Sequence, residues 1–158
     1  EVDAAGNVNV HAFEGRIRGP GGFPNISAQT RKLCFVGTLT ARGLELEIGD
    51  GRLRIASDGT LSKFVPQVRE ISFSAVMARQ RGQEVRYITE RAVFALSDGG
   101  ITLIEIADGL RAEEDVIGHM GFRPMVADEL RIMDARLFRD EPMDLAADFA
   151  RAAAGDGR

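Results

Sequence analysis

The sequence predicts an α/β fold: a mixed or largely antiparallel sheet with two or three hairpins and a few helices. Two turns and one apolar run carry that prediction. Asp50-Gly51 and Asp98-Gly99 each lie between apolar-rich, strand-like stretches, the signature of a β-hairpin closed by a two-residue turn. Leu33-Cys34-Phe35-Val36 is a continuous apolar run bounded by Arg31-Lys32 and Gly37, which reads as a central strand buried on both faces.

Composition narrows the function classes. A chain of 158 residues suits one domain with a real core, and 44% hydrophobic with 28% charged residues is ordinary for a globular protein. A net charge of −4 argues against nucleic acid as a partner, because phosphate backbones are bound by a clustered excess of Lys and Arg. One Cys excludes an internal disulfide framework and fits a reducing compartment, so a cytoplasmic location is expected. No apolar run approaches the length of a membrane span and no N-terminal signal pattern is present, so no membrane partner is expected.

In chain order, residues 2–10 read as a strand with Val8 and Val10 on one side and Asn7 and Asn9 on the other. Residues 11–18 form a polar connector in which Arg16 and Arg18 are either solvated or meet acidic groups of a ligand. Gly19-Pro20-Gly21-Gly22-Phe23 then offers two readings. It is a turn between strands, or a loop whose glycines let several N–H groups converge on an oxyanion or phosphate, with Phe23 as donor or as packing anchor. Cys34, with no His nearby in sequence, reads as a small core hydrophobe rather than a nucleophile.

Residues 44–56 give the most explicit local prediction. A type I′ turn at Asp50-Gly51 sets Ile48 against Leu53, Leu46 against Ile55 and Glu47 against Arg54, with the apolar face inward. Asp58-Gly59 marks another turn, and Ile71, Phe73 and Ala75 alternate with Ser72 and Ser74 as a half-buried strand. After a charged loop around Gly82, residues 85–89 read as a strand. The turn at Asp98-Gly99 pairs Leu96 with Ile101, Phe94 with Leu103 and Val93 with Ile104; apolar residues on both faces place this hairpin inside a sheet. Glu90 beside Arg91 reads as a structural ion pair.

A helix is expected over residues 111–120, with Glu113, Glu114 and Asp115 at its positive end and Gly121 stopping it in the left-handed region. His119, with no second ligand at metal spacing, reads as a surface helix residue, and no metal site is expected. Residues 122–134 form a connector and strand. A second helix begins at Pro142, with Leu145 and Phe149 on one face and a fraying Ala-rich, Gly-ended tail. The division is therefore one domain over residues 1–140 followed by a helix and tail over 141–158.

Several motifs in this order resemble one family. Gly6-Asn7-Val8-Asn9-Val10, Gly19-Pro20-Gly21-Gly22-Phe23 with Asn25-Ile26, and Phe35-Val36-Gly37-Thr38-Leu39-Thr40 are similar to the C-terminal half of the single-chain acetate/propionate-type CoA-transferases of family I. Lys63-Phe64-Val65, Ile71-Ser72-Phe73-Ser74, Tyr87-Ile88-Thr89-Glu90-Arg91-Ala92-Val93-Phe94, Leu103-Ile104-Glu105-Ile106-Ala107 and Leu130-Arg131-Ile132-Met133-Asp134 continue it. The resemblance implies the C-terminal, β-subunit-like portion of a three-layer fold, incomplete at its N-terminus. It implies exchange of coenzyme A between carboxylic acids through a glutamyl-CoA thioester.

In that family the nucleophile stands in a Glu-x-Gly-x-x-Gly-Gly motif. The one Glu-x-Gly here, Glu47-Ile48-Gly49, runs into the hairpin turn, so no catalytic residue is expected in this chain. The glutamate is expected upstream, in a missing N-terminal part or an α-type subunit. The resemblance gives CoA- and oxyanion-binding roles to Gly19, Gly21, Gly22, Phe23, Asn7, Asn9 and Gly43, with Arg42 standing where the family usually has a second glycine. It implies acyl-CoA and carboxylate substrates, coenzyme A as substrate rather than resident cofactor, and a homo-oligomer. Acetate, propionate, a 3-oxoacid and an aryl acid all remain open as acyl groups. A non-catalytic binding or assembly module and an acyl-CoA hydrolase are the alternatives.

Overall fold

The computed structural model describes residues 1–13 and 15–155. Its strands, in order, are β1 (Val2–Asp3), β2 (Ala12–Phe13), β3 (Arg16–Ile17), β4 (Lys32–Val36), β5 (Thr40–Ala41), β6 (Glu45–Gly49), β7 (Arg52–Ser57), β8 (Leu61–Ser62), β9 (Phe64–Val65), β10 (Glu84–Ile88), β11 (Ala92–Ser97), β12 (Gly100–Ile106) and β13 (Met125–Ile132). The α-helices are α1 (Phe23–Gln29), α2 (Ala75–Gln80) and α3 (Leu145–Gly155).

The fold is organised on a mixed five-stranded sheet of order β13-β12-β11-β10-β4. β10, β11 and β12 are antiparallel neighbours, while β4 pairs parallel with β10 and β13 parallel with β12. Successive side chains of a strand face opposite ways, so the sheet supports two cores. One contains Leu33, Val85, Tyr87, Phe94, Ile101 and Leu103 and packs under Phe64, Phe73 and Val116. The other contains Val93 and Ala107 and is closed by Leu53 of β7, Met133 and Phe138, with Ile88 and Ile104 against it.

The hairpin over residues 44–56 forms in the expected register, with Ile48 opposite Leu53, Leu46 opposite Ile55 and Glu47 opposite Arg54. Asp50 and Gly51 have φ of 52° and 78°, as a type I′ turn requires. Its inward face is shorter than expected: Leu53 is buried, but Ile48 near the turn is exposed. The second hairpin pairs Leu96 with Ile101 and Phe94 with Leu103 as expected, but Val93 faces Glu105 because a bulge leaves Ile104 unpaired.

Other expectations are corrected. Residues 32–36 are an edge strand; Cys34 is exposed and Val36 is 78% exposed, because among the described residues no further strand pairs with β4 and none covers that face. Residues 2–10 are not one strand: a turn at Gly6 separates β1 from Val8, which makes isolated antiparallel bridges to Val2 and Phe73. Residues 71–75 make only the Val8–Phe73 bridge, since the Ser74 side chain caps α2 by accepting from the Met77 N–H at 3.4 Å. The segment 111–120 is a π-turn (Ala112–Val116) followed by a 3₁₀ turn (Ile117–His119) rather than an α-helix. Gly121 does not take a left-handed conformation there; a Cβ on it would stand 2.7 Å from the Pro66 ring. Leu145 and Phe149 of α3 face solvent; the Ala-rich tail expected to fray is helical as far as Gly155, and residues 156–158 lie outside the described ones.

Candidate functional site

A crevice of about 460 Å³ opens at the carboxyl ends of the parallel pair β4 and β10. That is where open α/β sheets bind ligands, because the strands end there and their connecting loops diverge. Phe35, Val36, Gly37 and Thr38 line one side and Tyr87, Ile88 and Thr89 another, with Val8, Asn9, Val10, Phe13 and Phe23 opposite and Leu61, Ser62, Lys63 and Phe64 closing it. The Gly37 N–H donates to Ile88 O at 3.0 Å, which extends the strand pairing to the rim.

The floor is aromatic. Phe35 stacks on Tyr87 with centroids 5.5 Å apart and on Phe23 at 5.7 Å, and meets Phe73 edge-on at 5.0 Å. Tyr87 donates from its phenol to Gly6 O at 2.5 Å, and burial pushes that phenol well above its usual range, so it stays a neutral donor.

The residues expected at the site separate into three groups. Asn9 and Phe23 line the crevice. Asn9 is fully buried; its Nδ2 donates to Ala12 O at 2.7 Å and to Glu1 Oε2 at 3.1 Å, and its Oδ1 accepts from the Ala12 N–H at 3.1 Å. Asn9 therefore does not lie on a half-exposed strand face beside Asn7; it fixes a turn. Phe23 opens α1 as a packing anchor, and its N–H is committed to Pro20 O at 3.2 Å.

Gly19, Gly21 and Gly22 form the exposed loop that leads to Phe23; Gly21 has φ of 58°, and among the described residues no acceptor meets the Gly21 or Gly22 N–H. Asn7 and Gly43 lie off the crevice. Asn7 donates to Asp3 Oδ2 at 3.1 Å and accepts from the Ala75 N–H at 2.9 Å, tying the β1 turn to α2. Gly43 follows Arg42 on an exposed turn, both with positive φ.

The ion pair expected between Glu90 and Arg91 forms, but sequence reasoning missed the role of Lys63 and the wider network around Arg91. Lys63 appeared only as part of a motif; in the structure its ammonium donates to Thr38 Oγ1 at 2.9 Å on the crevice wall. Arg91 is 0% exposed and centres a buried charge network behind the crevice. Its Nε donates to Glu90 Oε1 at 2.6 Å, and its Nη1 reaches Asp115 O at 3.0 Å and Asp58 Oδ1 at 2.7 Å. Asp58 Oδ1 and Arg91 Nη2 lack a well-directed hydrogen bond among the described residues, so the Asp58 contact is an ion pair by proximity rather than alignment. Glu90 Oε2 accepts from the Leu39 N–H at 2.9 Å and thereby braces the loop that carries Thr38. His119 Nε2 lies 3.2 Å from Asp58 Oδ2, so this residue belongs to the network rather than to a free helix surface.

A second, larger hollow of about 600 Å³ lies between Gly49-Asp50 and residues 136–151. It is the weaker candidate, because Arg136 already pairs with Asp134 and Asp148, and Arg151 with Asp148. No group of three or more His, Cys, Asp or Glu among the described residues is placed to hold a metal ion. No helix among them is long and apolar enough to cross a membrane.

Over 143 residues the chain is 51% identical to the acetate CoA-transferase YdiF of Escherichia coli O157:H7, a match that covers 90% of this chain and 27% of that protein. The apoenzyme crystal structure of that acyl-CoA transferase superposes with a TM-score of 0.87 over 89% of this chain. The chain is thus similar to one part of these CoA-transferases and spans about a quarter of the length of the curated relatives it matches. The caffeate CoA-transferase of Acetobacterium woodii is 40% identical over 146 residues, covering 89% of this chain and 28% of its own length. Glutaconate CoA-transferase of Acidaminococcus fermentans shares the fold alone, at 16% identity and a TM-score of 0.56 over 87% of this chain and 52% of its own. No protein-family profile matches the chain.

Proposed function

We propose that the chain forms part of a CoA-transferase that moves coenzyme A between short-chain carboxylic acids by a ping-pong mechanism, with the nucleophilic glutamate outside these residues. The observation that carries the reading is the 51% identity to a protein crystallised as a thioester complex with CoA, together with a TM-score of 0.85 to that complex. In this reading residues 1–140 are the incomplete, β-subunit-like part of the transferase domain, and residues 141–158 are an appended helix and tail. Acyl-CoA and a carboxylic acid are the substrates, and coenzyme A is exchanged rather than held as a resident cofactor.

The glutamate attacks the acyl-CoA carbonyl and expels CoA thiolate. The thiolate opens the resulting mixed anhydride at the glutamyl carbonyl, giving the glutamyl-CoA thioester and free carboxylate, and an incoming acid reverses the steps. Each attack builds charge on a carbonyl oxygen, where a preplaced N–H donor is worth about 3 kcal/mol of barrier. The Gly21 and Gly22 amides are this chain's candidates for that task. The Phe23 N–H is already committed, and Asn9 acts through the turn that it fixes and through Glu1.

The test is CoA exchange by the full-length polypeptide that carries these residues. Transfer from acetyl-CoA that requires an added carboxylic acid supports the reading. Release of free CoA without an acceptor makes the protein a hydrolase. Binding of CoA with neither reaction leaves a binding module. Residues 1–158 by themselves are expected to show no turnover.

A further inference from the structure

We infer that Lys63 is the anion anchor of an acyl pocket, and that the crevice selects a monocarboxylic acid with an apolar body longer than that of acetate. The inference rests on the transferase reading and names the substrate of that same crevice.

The chemistry of the walls is divided. Val10, Phe13, Phe23, Phe35 and Leu61 offer an apolar surface, and among the described residues Lys63 is the only cationic side chain lining the crevice. Its position is built. The Lys63 N–H donates to Leu39 O at 3.1 Å and its carbonyl accepts from the Val2 N–H at 2.8 Å. At the other end the ammonium donates to Thr38 Oγ1 at 2.9 Å, while the Thr38 hydroxyl proton goes to Thr40 O at 2.6 Å. Thr38 therefore presents only lone pairs to Lys63 and holds it in place.

The ammonium carries three protons, of which Thr38 takes one, and among the described residues no carboxylate is paired with it. Glu1, the other charged residue of the lining, is held by Asn9 Nδ2. A half-buried ammonium against apolar walls, unmatched by a carboxylate, favours an anion there. An acid whose carboxylate meets Lys63 lays its chain along Phe13, Phe23 and Leu61. Acetate fills only the polar end.

Calorimetric titration of the full-length polypeptide, without CoA, tests this with acetate, butanoate, hexanoate and hexan-1-ol. Affinity is expected to rise roughly fourfold per added methylene, with the alcohol weaker than hexanoate. Lys63→Met, and Lys63→Gln as a second variant, should bring hexanoate to the level of the alcohol. Lys63→Arg should retain part of the preference for the acid, and Leu61→Phe, at a partly exposed position, should remove the gain beyond butanoate.

A flat series, acetate binding tightest, or acid binding indifferent to Lys63 overturns the inference. So does a Lys63→Met variant that weakens CoA alone, since Lys63 then meets a CoA phosphate. Acids bound as expected without any CoA exchange uphold the pocket and end the transferase reading, so the two failures are read separately.

Discussion

The middle of the central sheet and its β4 edge are built differently. At the β11–β12 pair, inside the sheet, the strands are antiparallel and both faces are closed, one by the core around Phe94 and Leu103 and the other by Leu53, Met133 and Phe138. At the β4–β10 pair the strands are parallel, one face is packed, and the other leaves Cys34 and Val36 exposed, with Val36 at the rim of the crevice. Parallel strands are ordinarily covered on both sides. The closed pair holds the fold, and under the proposed function ligand binding falls to the open edge.

The sharpest way to break this comparison is to truncate one side chain in each pair. Phe94→Ala should cost about 3–5 kcal/mol in urea unfolding, since it empties a fully enclosed site, whereas Val36→Ala should change stability by less than about 0.5 kcal/mol. A comparable loss at Val36 would mean that the open face is covered in solution.

Arg91 stands between β10 and β11. Arg91→Met should destabilise by roughly 3 kcal/mol, because Glu90 is left as a nearly buried carboxylate without its partner. Adding Glu90→Gln to it should recover part of that loss, and denaturant midpoints of the single and double variants measure the difference.

Tyr87→Phe is expected to cost about 1 kcal/mol, from the lost hydrogen bond to Gly6 O and the carbonyl left without it. The same unfolding curves read that loss.

The smallest effect lies beyond β13. The Arg136 guanidinium, with the Arg136 N–H, holds the Asp134 carboxyl down at about 2. A carboxyl depressed in the folded state contributes stability that is fully present above its ordinary value near 4 and is lost as pH falls toward 2. The pair is exposed, so Asp134→Asn should flatten only slightly the acid limb of a thermal-melting series between pH 4 and 2, and added salt should diminish the difference.

What was legible in the sequence was local. The pairing of Ile48 with Leu53 follows from Asp50-Gly51 because turn chemistry and alternation lie within ten residues, and the apolar content of 93–104 correctly placed β11 and β12 inside the sheet. The run 33–36 was misread because an apolar strand announces two apolar faces without saying whether the chain itself supplies the cover. Helices α1 and α2 escaped notice because seven and six residues are too few for a periodic pattern; Pro24 in the first turn of α1 and Ser74 as the cap of α2 were the available signals. Of the residues that the resemblance named, Asn9 and Phe23 line the crevice and Asn7 and Gly43 do not. The resemblance could not assemble Lys63 with Thr38, or Arg91 with Asp58 and Asp115, because those partners are 24 to 33 residues apart and only the fold joins them.

The central claim is that ligand chemistry belongs to the open edge of the sheet. Hydrogen–deuterium exchange of the full-length polypeptide with and without acyl-CoA tests it most directly. The account predicts slowed exchange in residues 21–23, 36–39 and 61–64, with residues 93–106 unchanged. Protection confined to residues 136–151, or to the β11–β12 hairpin, would contradict it.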